Sequence, residues 1–369
     1  MVPEPAIKNM EELIAPISED QPTGVDIRED RALDSLYQKI KDARNTARGL
    51  ERKYSADGDN PLDYWKIVLE IAPEILKTQS KDLDIACWYL EALVRLNGFR
   101  GLHDGIELIA QLVENHWENM FPMPDEDGME TRVLQLAGLN GQGADGVLVA
   151  PIRRASFTDS DDQVSFWQYQ LALDANNIAD DAEKKKKLES LEFNLEDIEK
   201  AVASSSNDFY TSQRDDIETA IARFKETGRK LDELCGSESP STSNIINAMQ
   251  QCLGAIRHLG DKNNKFPISE VAETDENGEA VESEEPGAAP AATAAASGPI
   301  ANREQAFKQL RLISEFFLKT EPHSPISYAL DKTISWGDMS LTELINELIP
   351  DGGSRQHYGL LTGVKNNDE

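Results

Sequence analysis

Glu321, His323 and Ser324 fall within four positions of one another in the stretch EPHSPISYALDKTISWGDMSLTELINELIPD, residues 321–351. A carboxylate, an imidazole and a hydroxyl are the groups of a hydrolytic triad, provided they reach one another as orienter, base and nucleophile. The surrounding pattern gives them a different role. Ala306, Leu310, Ile313 and Phe317 mark a helix that runs out at Lys319-Thr320-Glu321. Ser324 followed by Pro325 then reads as an N-cap with proline in the first turn. The next helix carries Ile326, Ala329, Leu330 and Ile334 on one face. Ser340 and Glu343 fit a capping box, with Met339 and Leu344 as its hydrophobic staple. Leu341, Leu344, Ile345 and Leu348 complete a third apolar face before Pro350. The pattern is one of helix starts and stops.

The remaining candidates for chemistry are weaker. Gly141–Gly146, GQGADG, has the spacing G-x-G-x-x-G. That motif binds a pyrophosphate only where a strand precedes it and a helix follows. Here a helix-like segment precedes it and VLVAPI follows, so a flexible loop is expected. The histidines at 103, 116, 258, 323 and 357 form no H-E-x-x-H, and neither a P-loop nor G-x-S-x-G is present. Cys87, Cys235 and Cys252 are too scattered for a disulfide framework or a zinc site and are expected to pack as small apolar groups. No catalytic residue, cofactor or metal site is predicted.

One charge feature runs against the background. Lys41, Arg44, Arg48 and Arg52 recur at three- and four-residue steps along KIKDARNTARGLERK. The stripe reads either as a solvated or internally paired helix face, or as a docking face for an acidic partner. The chain as a whole carries 67 acids against 37 bases, a formal net charge of −30. Such a balance disfavours general binding to nucleic acid and to anionic lipid. No apolar run is long enough to span a bilayer, and the N-terminus lacks the basic and apolar regions of a signal peptide. A cytoplasmic protein is expected, without direct membrane insertion.

These residues must be positioned by helices, since apolar spacing of three and four dominates the chain. Helices are predicted over 30–54, over 62–76 with Pro73 kinking or ending it, over 82–96 closed by Asn97-Gly98, and over 102–117. A further helix precedes the glycine-rich loop. Two long ones are expected over 184–203 and 208–234, and another over 243–258 after the cap-rich PSTS. GVLVAPI is the one strand-like run. Residues 267–299 hold eight acids and no base, then Ala, Gly, Pro and Ser, so a disordered linker is expected. The expectation is an all-α chain: a helical N-terminal domain (1–155), a helical middle region (156–266), the linker (267–299) and a small C-terminal helical domain (300–369).

Taken in order, these segments resemble the ImpA/TssA family of bacterial type VI secretion systems, and the length resembles its short form. The resemblance is carried by APISEDQPTGVDIRED, ARGLE, and the block from DYWKIVLEIAPEIL to HWENMFP. It continues with Trp117, Pro122, the acidic-glycine turn DEDG and Arg132, and covers roughly residues 13–155. The C-terminal block with E-P-x-S-P and a downstream tryptophan is similar as well. The resemblance implies a non-enzymatic assembly protein whose C-terminal region oligomerises into a ring. It further implies contacts with baseplate, inner tube and sheath proteins and with the membrane complex, at the cytoplasmic side of the inner membrane. Phe316, Phe317, Trp336, Leu344 and Leu348 are the candidates for that C-terminal assembly, or for the core of one protomer. Two other readings stand beside it: a monomeric adaptor linking two partners, and an enzyme with a composite hydrolase site.

Overall fold

The longest helix among the described residues is buried on every side at its start, and the neighbouring elements are arranged by that fact. The computed structural model describes residues 4–52, 59–266 apart from 127, 161 and 192, 303–320, and 325–337. It divides into two units, 1–273 and 274–369.

In the first unit, α1 (Met10–Ile14) and α2 (Leu36–Arg52) lead to α3 (Pro61–Thr78) and α4 (Leu83–His116). Residues 83–94 of α4 are all buried, a pattern possible only for a helix enclosed by others. α3 packs along one side of it, α2 lies on α3, and α10 (Asn207–Cys235) covers another side. Gly98 breaks α4 with φ 58° and ψ −137°, a conformation that L side chains rarely adopt. The arm after the break folds back on the arm before it. A Cβ on Gly101 would lie 2.2 Å from the Leu93 carbonyl oxygen, whereas residues eight apart in a straight helix are about 12 Å apart.

The chain enters this core through a charged junction. Lys81 is fully buried and donates from Nζ to the carbonyls of Leu13 and Leu76, both at 2.7 Å. Asp82 caps α4 by accepting the Ile85 amide, and its other oxygen receives Arg28 Nη1 at 2.6 Å. Arg28 Nη2 also reaches Asp84 at 2.6 Å, so one guanidinium from the opening loop holds two carboxylates at the start of the buried helix. Burial is the largest influence on Asp84 and raises its pKa to about 6. Burial lowers that of Lys81 to about 8.

Downstream, α5 (Glu130–Asn140), α6 (Val149–Arg154), α7 (Phe166–Asn176), α8 (Asp181–Ser190) and α9 (Leu195–Ser204) precede α10, and α11 (Ser243–Lys262) follows it. α10 is tied along α4 by Arg223, which donates to Glu107 at 2.7 Å and to Glu114 at 2.7 and 2.9 Å. Residues 156–266 therefore share one core with residues 1–155 and belong to the same compact unit.

Several local expectations are corrected. α3 continues through Pro73 to Thr78, because a proline removes one amide donor and the bonds on either side remain. The predicted helix over 184–203 is two, α8 and α9, separated where Asn194 and Asp197 form a capping box that starts a new helix. GVLVAPI contributes helix α6, and the described residues hold isolated bridges but no strand. Thr242 makes no side-chain cap at α11. α7 went unpredicted although Ser165 and Gln168 form a capping box at its start.

In the second unit, α12 (Arg303–Thr320) packs against α13 (Pro325–Gly337), with Ser314 Oγ 2.5 Å from Asp331 Oδ1 and Ile334 buried. α13 begins at Pro325, as the first-turn proline requires. The linker, Ser324, Ser340, Glu343, Leu344 and Leu348 lie outside the described residues.

Two measurements check this framework. Gly101→Ala should destabilise the protein by about 1–3 kcal/mol through overpacking. Gly254→Ala, in α11 with nothing within 4 Å of the new methyl, should stabilise it by up to about 1 kcal/mol. Opposite signs in denaturant unfolding are the expected result. The second concerns pH. From pH 8 to 10.5 the unfolded chain keeps the Lys81 proton that the folded chain has released, so this group's contribution to stability rises with pH. The melting temperature of the wild type relative to Lys81→Met should therefore climb across that window. The slope would reach about 1.4 kcal/mol per pH unit.

Candidate interaction site

Arg44 is not part of an exposed stripe. It is buried, and its Nε donates to Glu91 Oε1 at 2.7 Å while its guanidinium lies over the Trp88 ring at 5.1 Å. Glu91 sits on the enclosed part of α4 and is itself fully buried, so a charge there demands a counter-ion. Arg48, one turn further along α2, stands 4.0 Å from Glu91 Oε2, and Arg95 stands 3.9 Å from the same oxygen. Arg95 is held elsewhere: it donates to Glu51 at 2.7 and 3.0 Å and stacks 4.2 Å from the Trp65 ring. Glu51 also accepts the Trp65 indole N–H at 2.7 Å. Lys41 lies 5.6 Å from the Tyr37 ring, on the exposed side of α2. The four cations that the sequence aligns are thus divided, one inside the fold, one at its edge and two on the surface.

Burial, then crowding by Arg44, Arg52 and Arg95, holds the Arg48 pKa below its ordinary value, against the pull of Glu91. Arg48 and Arg52 border a groove of about 550 Å³ between α2, the start of α3, the first arm of α4 and α6. Arg154 of α6 lines the far side, 5.6 Å from the exposed ring of Trp167. Leu62, Val94, Val147 and Pro151 supply the apolar lining. Among the described residues its lining is charged and apolar, a combination suited to binding. Sequence reasoning missed Arg154, since nothing local connects it to α2. A second, more polar cleft of about 820 Å³ adjoins it through Val94, Arg95, Arg154 and Ala155.

Several of the other candidate groups are engaged within the fold. Gly141 ends α5, and the GQGADG segment is pinned: Gly146 N donates to Asn140 O, and Asn244 donates to the carbonyls of Asn140 and Ala144. Helix lies on both sides of it, where a dinucleotide motif needs a preceding strand. His103 pairs with Asp104 at 2.8 Å, and His116 lies 2.6 Å from the Ile14 carbonyl. Among the described residues no group of three metal-ligating side chains converges. Cys87, Cys235 and Cys252 are free and buried. Glu321, His323 and Ser324 fall between α12 and α13, outside the described residues. Phe316 is 60% exposed and meets Phe317 edge-on at 5.7 Å, while Phe317 and Trp336 are half-buried.

The Trp117, Pro122 and Arg132 element proves to be one clamp. Arg132 is buried and donates Nε to Pro122 O at 2.9 Å, Nη1 to Trp117 O at 2.8 Å and Nη2 to Met120 O at 3.1 Å, with its guanidinium 5.0 Å from the Trp117 ring. It satisfies carbonyls at the end of α4, where the helix dipole also favours a cation. The DEDG turn before it is closed by Gly128 N donating to Asp125 O.

Comparison with known proteins agrees with this arrangement. Residues 14–141 match the family model described as ImpA, N-terminal, type VI secretion system. The chain is 26% identical over 356 residues to the type VI secretion system component TssA1 of Pseudomonas aeruginosa, covering 93% of this chain and 95% of that protein. The chain is thus similar to the ImpA/TssA family, with the ImpA N-terminal region at residues 14–141. A solved N-terminal domain of the TssA component from Burkholderia cenocepacia, which includes the conserved ImpA_N region, is similar in structure. It superposes with a TM-score of 0.58 at 25% identity, covering 71% of this chain and 98% of that one. The matched family region holds the opening-loop arginine, the Arg44–Glu91 pair and the Arg132 clamp.

Replacing Glu91 by Gln should cost about 3–5 kcal/mol, because it strands the buried Arg44 charge. Arg48→Gln, at the edge of the same cluster, should change stability by no more than about 1 kcal/mol. Urea unfolding of both variants measures the difference.

Proposed function

We propose that the chain is a non-enzymatic scaffold of type VI secretion system assembly, which self-associates into a ring through residues 300–369, contacts the baseplate and helps prime polymerisation of the tube and sheath. The observation that carries this reading is the extent of the similarity to TssA1, 95% of that protein's length, which includes the C-terminal region. Support comes from the second unit, where the α12–α13 pair leaves Phe316 largely exposed. A small helical unit of this kind gains core by association. Partners in this reading are copies of the chain itself and baseplate, tube and sheath proteins, with the membrane complex as a further contact at the cytoplasmic side of the inner membrane. Among the described residues no helix is long and apolar enough to cross a membrane. A ring would multiply weak contacts into a high-avidity platform.

The test is the solution mass of the full chain beside a truncation after Pro299, by light scattering after size exclusion. A large discrete oligomer for the full chain and a small species for the truncation is the expected result, and Phe316→Asp should lower the mass of the full chain. Monomers for both at micromolar concentration would remove the ring and leave the adaptor reading.

A further inference from the structure

The arginine groove of the first unit is out of electrostatic balance. Among the described residues its lining carries Arg48, Arg52, Arg95 and Arg154 and one carboxylate, Glu51. Beneath it, Arg44 and Glu91 neutralise each other, so the described lining has three cations in excess on a chain whose net charge is −30. Arg95 is engaged by Glu51 through two hydrogen bonds. The other three have open donors. Arg48 comes no closer than 4.0 Å to Glu91, too far for a hydrogen bond. Arg52 and Arg154 have no carboxylate partner among the described residues. Arginine presents a planar fork that matches a carboxylate with two parallel bonds.

Apolar surface lies between these cations. Leu62 is 39% exposed at the rim, with Val94, Val147 and Pro151 below it. We propose that this groove docks a short acidic segment of a partner protein, one that sets carboxylates on Arg48, Arg52 and Arg154 and an aliphatic or aromatic side chain against Leu62. Charge complementarity selects the class of partner. A duplex or an anionic bilayer extends well beyond the screening length of about 8 Å at physiological salt, and would meet the acidic remainder of the surface. A short segment samples the local excess alone. Its apolar side chain also matches the groove lining, which a phosphate backbone does not. The inference stands apart from ring formation, since it concerns the first unit, and groove variants should leave the oligomer mass unchanged.

The test uses the full chain and a fluorescein-labelled twelve-residue peptide repeating Glu-Glu-Leu, with a control peptide in which every Glu is Gln. Fluorescence anisotropy should show binding of the acidic peptide, weakening with added salt, and little binding of the control. Arg52→Glu with Arg154→Glu should weaken it about tenfold or more, equivalent to about 1.4 kcal/mol. Leu62→Asp should weaken it as well. Lys186→Glu with Lys187→Glu, on exposed α8 outside the groove, should bind like wild type. Arg52 and Arg154 are exposed, so circular dichroism melts of their variants should match the wild type, and Arg52→Glu alone carries the test if the double variant misfolds. Equal binding of the two peptides, or unchanged affinity in the groove variants, overturns the proposal. So does tighter competition at these residues by a DNA duplex or a phosphatidylserine vesicle.

Discussion

A helix enclosed on all sides that nevertheless carries two acids fixes much of the first unit. Asp84 and Glu91 sit two turns apart on the buried arm of α4. An ionised carboxylate there is tolerable only if a cation is delivered to it with good geometry. Arg28 comes from the opening loop to one, and Arg44 comes from α2 to the other. The position of both elements is thereby tied to the spine. Apolar packing alone would have allowed each to slide along it. Such pairs contribute specificity of arrangement more than net stability, since desolvation of both ions offsets most of their attraction.

The same constraint generates the surface feature. One glutamate neutralises one arginine, and the four-residue step of α2 that brings Arg44 to Glu91 also brings Arg48 and Arg52 up the same face towards the rim. Arg48 stands 4.0 Å from Glu91, which Arg44 already neutralises, and Arg52 has no carboxylate partner among the described residues. Across the groove, α6 presents Arg154, two residues beyond the apolar run GVLVAPI. The groove is therefore a by-product of how the core is pinned.

The helices were largely legible because apolar spacing reports which face is buried, and turns such as Asn97-Gly98 have a local signature. The failures share a cause. The short run GVLVAPI fits either period, and burial inside a helical assembly decides between them. The division of α8 from α9 and the start of α7 lay in capping boxes that local reading could have found. The role of Arg44 could not be found that way, since Glu91 is 47 residues distant and charge spacing on α2 is the same for a paired and an unpaired arginine. The internally paired reading of that stripe holds for Arg44. Trp117, Pro122 and Arg132, which carried the resemblance, are explained by one side chain satisfying three carbonyls.

That last point bears on where function can reside. The motif residues serve the fold: Arg132 closes the end of α4, Arg28 holds its start, and Glu51 anchors Trp65 and Arg95. A family likeness built on such residues transmits a scaffold, and partner choice falls to side chains that the scaffold leaves uncommitted. With 30 excess negative charges, two copies of the chain repel each other beyond contact range, so self-association in the proposed ring must rest on apolar burial and is helped by screening. Docking of an acidic segment in the arginine groove draws on local attraction and is weakened by the same screening. The two proposed contacts would therefore differ in physical origin and respond to salt in opposite directions.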